Sequence, residues 1–252
     1  MEKAFSVNAE GCSIRCRLYA DGAGPIGRVV LFGHGFGGHK DNRAAARFAG
    51  RMLEKNKGTA LVAFDWPCHG EDVRKLLRLE DCSRYLRLTA AYIRSRWEDP
   101  ALYGYATSFG GYLFLKYLSE EGNPFAKLAL RCPAVDMYEG LSRNILTEAE
   151  RDRLAHGKPV SAGFDRKVTI DRAFLESLRE ADITKRDFLP WADDIIILQG
   201  TRDEIVPFEA VKAFAEENVI EFEAVEGADH RFQDPRLMDR AIARILAFFG
   251  MK

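Results

Sequence analysis

The sequence has no excess of charge of either sign and no long hydrophobic run. Its 37 lysine and arginine residues nearly balance 38 aspartate and glutamate residues, which leaves a net charge of −1. A charge near zero provides no attraction to nucleic acid or to an anionic membrane surface, so neither partner is expected. A membrane-spanning helix is also not expected, because no apolar run reaches about 18 residues. At 252 residues, 47% of them hydrophobic, the chain can form one globular domain with a large core.

Motifs for metals and cofactors are missing as well. The chain contains neither H-x-H nor H-E-x-x-H, and no G-K-[ST] follows the glycine-rich stretch at 33–38. We therefore expect no metal, nucleotide or other cofactor. The cysteines are odd in number and form no C-x-x-C pair, which argues against a zinc site or a disulfide framework. Free thiols and the lack of a visible secretory signal predict a cytoplasmic protein. The cysteines are Cys12, Cys16, Cys68, Cys82 and Cys132.

The most informative stretch that is present runs from Leu102 to Tyr112. A short apolar run ends at Ser108, two glycines follow, and an amphipathic helical run begins. This order is typical of a nucleophile elbow, in which the serine occupies a sharp strained turn with its hydroxyl above the sheet. The turn requires small residues two positions before and after the serine, here Ala106 and Gly110. The usual motif is G-x-S-x-G, so Ala106 is a mild departure that fits the space but cannot relieve strain as glycine can.

Two further residues complete a candidate triad in the chain order nucleophile, acid, histidine. The apolar run 195–198 leads into a loop that carries Asp203, and the alternating run 220–225 leads into a loop that carries His230. The carboxyl ends of parallel strands meet at one edge of a sheet, so these side chains are expected to lie near Ser108. His230 would accept the serine proton, while Asp203 would fix the imidazole tautomer and stabilise its cation.

Each triad assignment has an alternative. A serine before a helix commonly acts as an N-cap, so Ser108 could be structural. His230 could be a solvated loop histidine. The aspartates at 193–194 precede a predicted strand, which places them at the wrong edge of the sheet, and Asp229 adjoins the histidine, where neighbouring side chains seldom face each other. These considerations favour Asp203.

Hydrophobic periodicity predicts eight strands with helices between most of them. An N-terminal antiparallel hairpin followed by alternating strands and helices predicts an α/β fold, with a mostly parallel sheet and helices on both faces. The predicted strands are 3–8, 12–19, 28–33, 59–65, 101–106, 126–132, 194–199 and 219–225, and the predicted helices are 41–56, 82–97, 110–121, 207–217 and 235–249.

Three more motifs accompany the elbow along the chain. Phe32–Lys40 contains H-G-F, Phe64–Asp72 has the pattern D-x-x-G-H-G with Cys68 in place of the first glycine, and Gln199–Pro207 contains G-x-x-D-x-x-V-P. In these motifs the chain resembles the α/β-hydrolase superfamily, serine esterase type, and especially bacterial feruloyl (cinnamoyl) esterases and monoacylglycerol-lipase-like hydrolases. The resemblance covers nearly the whole chain.

The resemblance implies a helical cap over the site, formed by the insertion between the sixth and seventh strands. Residues 136–190 would be this cap, and residues 1–135 and 191–252 the hydrolase core. The insertion has no convincing strand, and its apolar residues, Phe164 among them, follow the amphipathic pattern of short helices laid over a cleft. A helix at 172–178 with Phe174 facing inward is expected. A surface excursion without substrate contact is the alternative.

The resemblance also implies an oxyanion hole, formed by the backbone N–H groups of Phe36 and Phe109. Gly35, Trp66 and Phe174 are predicted to line the substrate pocket. The expected reaction is hydrolysis of small to medium carboxylic esters through an acyl-enzyme, with a small-molecule ester as the partner. An acyltransferase, an amidase or a thioesterase would use the same triad, and a non-catalytic ligand-binding homologue would keep the fold alone.

Overall fold

A computed structural model describes residues 1–22, 24–163 and 166–252, so Phe164 lies outside the described residues. The strands are β1 (Glu2–Ala9), β2 (Cys12–Ala20), β3 (Arg28–Gly33), β4 (Thr59–Phe64), β5 (Ala101–Thr107), β6 (Lys127–Arg131), β7 (Val160–Ala162), β8 (Val168–Ile170), β9 (Ile195–Gly200) and β10 (Glu221–Val225). The α-helices are α1 (Arg43–Lys55), α2 (Leu79–Arg96), α3 (Phe109–Glu121), α4 (Met137–Glu139), α5 (Glu148–Ala155), α6 (Arg172–Glu180), α7 (Phe208–Glu217) and α8 (Pro235–Phe248).

Eight of these strands form one mostly parallel sheet in the order β1-β2-β4-β3-β5-β6-β9-β10. The pairs β1–β2 and β2–β4 are antiparallel, and the other pairs are parallel. Parallel strands need crossover connections, and the helices provide them. The predicted fold class is therefore confirmed. No helix among the described residues has the length and apolar character needed to cross a membrane.

Strand residues alternate between two hydrophobic layers on opposite faces of the sheet. Val30 and Phe32 belong to the layer that includes buried residues of α1 and α8, whereas Val29 and Leu31 belong to the layer that includes α2, α3 and α7. Burial on both faces explains why the central strands are continuous apolar runs rather than alternating ones. The polar side chains needed for chemistry are consequently found after the strands, at the carboxyl edge.

The insertion between β6 and β9 is only partly helical. α4 continues into a π-helical turn at Gly140–Ile145, and α5 and α6 follow. The expectation that the insertion contains no strand is wrong, because β7 and β8 pair as a short antiparallel hairpin. Strands of three residues are too short for a period of two to be recognised. The helix expected at 172–178 is present as α6.

The second half of the insertion is fastened to the core. Asp171 caps α6 by accepting a hydrogen bond from the backbone N–H of Phe174 at 3.0 Å, and it also forms a bidentate ion pair with Arg78 at 2.8 and 2.9 Å. The backbone N–H of Leu77 donates to the carbonyl of Thr169 at 3.0 Å. These contacts join β8 and α6 to the segment that precedes α2.

Candidate active site

Ser108 occupies the sharp turn between β5 and α3 that the sequence predicts. Its φ is 52° and its ψ is −121°, a backbone conformation that L-residues with side chains rarely adopt. Its N–H donates to the carbonyl of Arg131, and its carbonyl accepts from the N–H groups of Tyr112 and Ala134, each at 3.1 Å. These hydrogen bonds hold the strained turn against β6 and the loop that follows it. No side-chain capping bond from Ser108 to α3 is found among the described residues.

Close backbone packing around the elbow explains the small residues near it. A Cβ atom on Gly110 would lie 2.5 Å from the carbonyl oxygen of Gly33, so only glycine fits there. A Cβ atom on Gly35 would lie 3.1 Å from the Cβ and 3.6 Å from the Oγ of Ser108. The backbone of the loop after β3 therefore runs directly beside the serine hydroxyl.

Asp203 and His230 are brought together by the loops after β9 and β10. His230 Nδ1 lies 2.8 Å from Oδ2 and 3.0 Å from Oδ1 of Asp203. The carboxylate side chain is fully buried, and the imidazole is 12% exposed. With Nδ1 donating to the carboxylate, the other ring nitrogen is available to act as a base.

Two of the competing aspartates have other side-chain partners. Asp194 pairs with Lys127 at 3.1 Å, before β9, and Asp229 accepts a hydrogen bond from the N–H of Gln233 at 2.8 Å. Asp203 is thus the aspartate whose carboxylate meets the histidine.

The loop that carries Asp203 (the acid loop) and the loop that carries His230 (the histidine loop) are hydrogen-bonded to each other. The N–H of Arg202 donates to the carbonyl of Ala228 at 3.0 Å, and the N–H of Gly227 donates to the hydroxyl of Thr201 at 2.9 Å. A Cβ atom on Gly200 would lie 2.3 Å from the carbonyl oxygen of Ala228, so a side chain at position 200 would push the loops apart. Their relative position is therefore fixed before any substrate binds.

Several donors keep the Asp203 carboxyl ionised. Its Oδ1 accepts the backbone N–H groups of Ile205 and Val206 at 2.9 and 2.8 Å, and its Oδ2 accepts the side-chain amide of Gln199 at 2.9 Å. Burial raises the pKa of Asp203, but the hydrogen bond and charge of His230 and the N–H of Val206 outweigh it, so the pKa lies below its ordinary value. The sequence reasoning missed Gln199, although a glutamine that ends a fully apolar strand was a readable signal.

The glycine-rich loop after β3 is braced by buried, neutral histidines. His34 Nδ1 lies 2.9 Å from the carbonyl oxygen of Gly35, and its Nε2 accepts the backbone N–H of Trp66 at 3.3 Å. Burial lowers the pKa of His34 well below its ordinary value and that of His69 to about 4. The ring centroids of Phe36 and Phe109 lie 5.6 Å apart in an edge-to-face contact. The two residues predicted to provide oxyanion donors are therefore neighbours beside Ser108.

Cys68, which stands where the family motif usually has glycine, has an unusual backbone conformation. Cys68 has a φ of 64°, in the left-handed region that favours glycine, which explains why the family motif usually has glycine there. Its N–H donates to the carboxylate of Asp72 at 2.9 Å, which helps to hold this turn.

A cavity of about 510 Å³ opens at Ser108. Its walls come from the start of the insertion, from the residues that follow Asp203, and from Phe36 in the loop after β3. The wall is mainly apolar, with a charged pair, Glu139 and Arg143, on α4 and the π-helical turn. The lining residues are Phe36, Ser108, Ala134, Val135, Asp136, Met137, Glu139, Gly140, Arg143, Asn144, Ile145, Ile205, Val206, Pro207 and Ala210.

The structure places two predicted pocket residues away from this wall. Trp66 is fully buried, and its indole N–H donates to the carbonyl of His34 at 2.8 Å, so it supports the loop from beneath. Phe174 is 1% exposed and packs in the hydrophobic layer rather than along the cavity. Gly35 does lie beside Ser108, as described above. Aromatic character alone cannot distinguish a pocket residue from a core residue.

Cys132, immediately after β6, is a further residue that sequence reasoning missed. Its φ is 47°, it is buried, and its sulfur lies within 4.8 Å of ligand atoms of Asp203 and His230. Sulfur, oxygen and nitrogen in this arrangement could in principle hold a metal ion. The carboxylate and the imidazole of this group already hydrogen-bond each other.

Comparisons with known proteins agree with this architecture. A sequence profile of the alpha/beta hydrolase family matches residues 29–245. A search of curated proteins finds no match.

Solved structures share the fold at low sequence identity. Ferulic-acid-bound Est1E from Butyrivibrio proteoclasticus is 16% identical, with a TM-score of 0.78 and coverage of 98% of this chain and 100% of that one. The esterase domain of a Rhodothermus marinus protein is 18% identical, with a TM-score of 0.68 and coverage of 98% and 97%. An alpha-beta serine hydrolase homologue from Coxiella burnetii is 19% identical, with a TM-score of 0.65 and coverage of 97% of both chains.

Proposed function

Since this chain belongs to the alpha/beta hydrolase family, we propose that it is a serine hydrolase that cleaves small to medium carboxylic esters, with Ser108 as nucleophile, His230 as general base and acid, and Asp203 as the residue that orients the histidine. A cytoplasmic location is part of the proposal and is supported by the five free cysteines.

The proposed reaction begins with attack of Ser108 Oγ on the ester carbonyl carbon while His230 Nε2 takes the hydroxyl proton. The carbonyl oxygen becomes an oxyanion, stabilised by the backbone N–H groups of Phe36 and Phe109. When the tetrahedral intermediate collapses, the imidazolium gives its proton to the leaving alcohol and an acyl-enzyme remains. Water, deprotonated by the same imidazole, then attacks the acyl carbon, and the carboxylic acid leaves as Oγ is reprotonated.

One observation carries the proposal: the strained serine turn opens into a cavity that is also lined by Ile205 and Val206, whose N–H groups hold the buried carboxylate paired with His230. A structural serine would not need a φ of 52° or a cavity above it. The mainly apolar wall favours acyl or aryl groups of medium size, and no described residue of the wall other than Arg143 carries a positive charge. Ferulic acid bound to Est1E is an example of such a group in a protein of this fold.

The test is hydrolysis of p-nitrophenyl esters from acetate to decanoate, with methyl ferulate alongside. Ser108→Ala should lower kcat by about 10⁴-fold or more, because the nucleophile acts as a unit with its base. Ser119→Ala is the matched control: this serine lies on the same helix, and its hydroxyl donates to the carbonyl of Lys116 at 2.8 Å. Its activity should equal that of the wild type.

A fluorophosphonate probe separates the alternatives. Labelling of the wild type but not of Ser108→Ala, without ester turnover, would redirect the proposal to an acyltransferase, amidase or thioesterase. No labelling and no turnover in a folded protein would refute an active serine and leave a ligand-binding homologue.

A further inference from the structure

The wall of the cavity and the loop of the catalytic acid are joined by one hydrogen bond. The side-chain amide of Asn144, on the π-helical turn, donates to the carbonyl oxygen of Ile205 at 2.7 Å. That carbonyl belongs to the same peptide group as the N–H of Val206, which donates to Asp203 Oδ1 at 2.8 Å. A continuous chain therefore runs from Asn144 through one planar peptide to the carboxylate.

Hydrogen bonds in series polarise one another. Donation into a peptide carbonyl makes the N–H of the same peptide a stronger donor, an effect that increases where the local dielectric constant is low. The Asn144–Ile205 hydrogen bond is exposed to solvent, whereas the carboxylate at the end of the chain is fully buried, so the low dielectric constant applies at the Asp203 end. The Asn144 amide is thus placed both to hold the peptide in position and to strengthen its hydrogen bond to Asp203.

The π-helical turn is itself held firmly. The N–H of Leu146 donates to the carbonyl of Leu141 at 2.9 Å, and the guanidinium of Arg151, on α5, donates to the carbonyls of Ser142 and Leu146 at 2.9 and 2.7 Å. π-helical turns are rare and frequently occur at functional sites. Here the turn presents Asn144 to the acid loop while the same residue lines the cavity.

We propose that Asn144 is a positioning residue, which from the wall of the substrate cavity fixes and polarises the 205–206 peptide and so orients Asp203 towards His230. The inference rests on the proposed function only because it takes Asp203 to be the catalytic acid. The hydrogen bonds themselves are present whatever the function. Through Asn144, the segment that lines the cavity is consequently connected to the loop that carries Asp203.

The test compares Asn144→Leu, which has a similar volume and no donor, with Asn144→Gln, which keeps an amide. For p-nitrophenyl acetate, Asn144→Leu should lower kcat by about three- to tenfold, the range expected for one lost hydrogen bond. The KM should change by less than about twofold, because the short acyl group makes little use of the wall. Asn144→Gln should recover part of the loss.

The pH profile distinguishes positioning from packing. Weakening a donor leaves more negative charge on the Asp203 carboxylate, and that charge favours the cationic form of the His230 imidazole, which cannot act as a base. The acid limb of kcat/KM should therefore move to higher pH in Asn144→Leu. Ser142→Ala, in the same turn but outside the cavity wall, is the control and should leave the limb unchanged.

A measurement without turnover keeps this inference separate from the proposed function. The proton NMR signal of the imidazole N–H shared with Asp203 should shift in Asn144→Leu and not in Ser142→Ala. An unchanged signal in folded Asn144→Leu overturns the inference, as do an unchanged kcat and acid limb in an active enzyme. Lack of ester turnover and of fluorophosphonate labelling in the wild type refutes the proposed function alone. Asn144→Ala provides a second donor-free variant if the leucine variant is unstable.

Discussion

The two halves of the segment between β6 and β9 differ in what they contact. The first half, residues 136–145, lines the cavity and is hydrogen-bonded to the acid loop through Asn144. The second half, residues 160–180, is fastened to the region before α2, and none of its described residues lines the cavity. The segment thus shows a division between a part that lines the cavity and a part that is anchored to the core.

The largest expected effect is on stability in the second half. Phe174→Ala should lower the free energy of unfolding by about 3–5 kcal/mol, because a fully buried aromatic ring is replaced by a cavity. The kcat for short esters should remain close to the wild-type value below the unfolding transition. Urea denaturation and p-nitrophenyl acetate kinetics measure the two quantities.

Glu176→Ala, at an exposed position of the same helix, is the control and should change the free energy of unfolding by less than about 0.5 kcal/mol. A Phe174→Ala protein of normal stability but altered ester preference would show that the ring contacts substrate, and the division would fail.

The next largest expected effect is on selectivity for ester chain length, and it arises in the first half of the segment. Ile145→Phe adds volume to the cavity wall and should lower kcat/KM for octanoate relative to acetate by about tenfold, a typical cost of misfit in an apolar pocket. The acetate rate should change little. An ester chain-length series measures the ratio.

Leu175→Phe makes the same kind of change in the second half, at a half-buried position of α6, and should leave the ratio unaltered. If the two variants shifted the ratio equally, the cavity would extend under both halves.

The smallest effect separates the two roles of Asp171. Asn is as good an N-cap as Asp, so Asp171→Asn removes only the partly exposed ion pair with Arg78 and should lower the free energy of unfolding by less than about 1 kcal/mol. Asp171→Ala removes the cap as well and should cost about 1–2 kcal/mol. Thermal and urea unfolding rank the two variants.

The contribution of the ion pair should also depend on pH. Burial raises the pKa of Asp171, but the hydrogen bond and charge of Arg78 outweigh it, so the pKa of the folded state lies below the ordinary value of 3.8. The stabilisation is therefore complete above about pH 4 and is lost as pH falls through the lowered pKa. Asp171→Asn should show less of this acid-induced loss. An equal loss in both proteins would place the acid sensitivity elsewhere.

The sequence was informative wherever function depends on local order. The elbow, the acid loop and the histidine loop each follow a strand, and strands of five to nine residues have a recognisable pattern. Because parallel strands end at one edge, the meeting of Asp203 and His230 could be expected from their positions alone. The fold class followed from the same alternation of strands and helices.

The wall of the cavity depends on contacts that no local pattern contains. Asn144 and Ile205 are 61 residues apart, and Arg78 and Asp171 are 93 residues apart. Phe174 was predicted to face the substrate because it is aromatic and lies in the insertion. Which apolar face of α6 meets the core, and which meets a cavity, is decided by tertiary packing, so the sequence could not separate these possibilities.

The absence of a Cβ atom in Gly110 and Gly200 has a consequence for the directed evolution of this protein. A Cβ atom at either position would lie within 2.5 Å of a backbone carbonyl oxygen, that of Gly33 at the end of β3 or that of Ala228 in the histidine loop. No single substitution relieves such an overlap, since the opposing atom belongs to the backbone and is present whatever residue is encoded there. Libraries that seek new substrates should hold these two codons and that of Asn144 constant and place their diversity in the other residues of 136–145, where a change alters the cavity and leaves the alignment of the serine, acid and histidine loops in place.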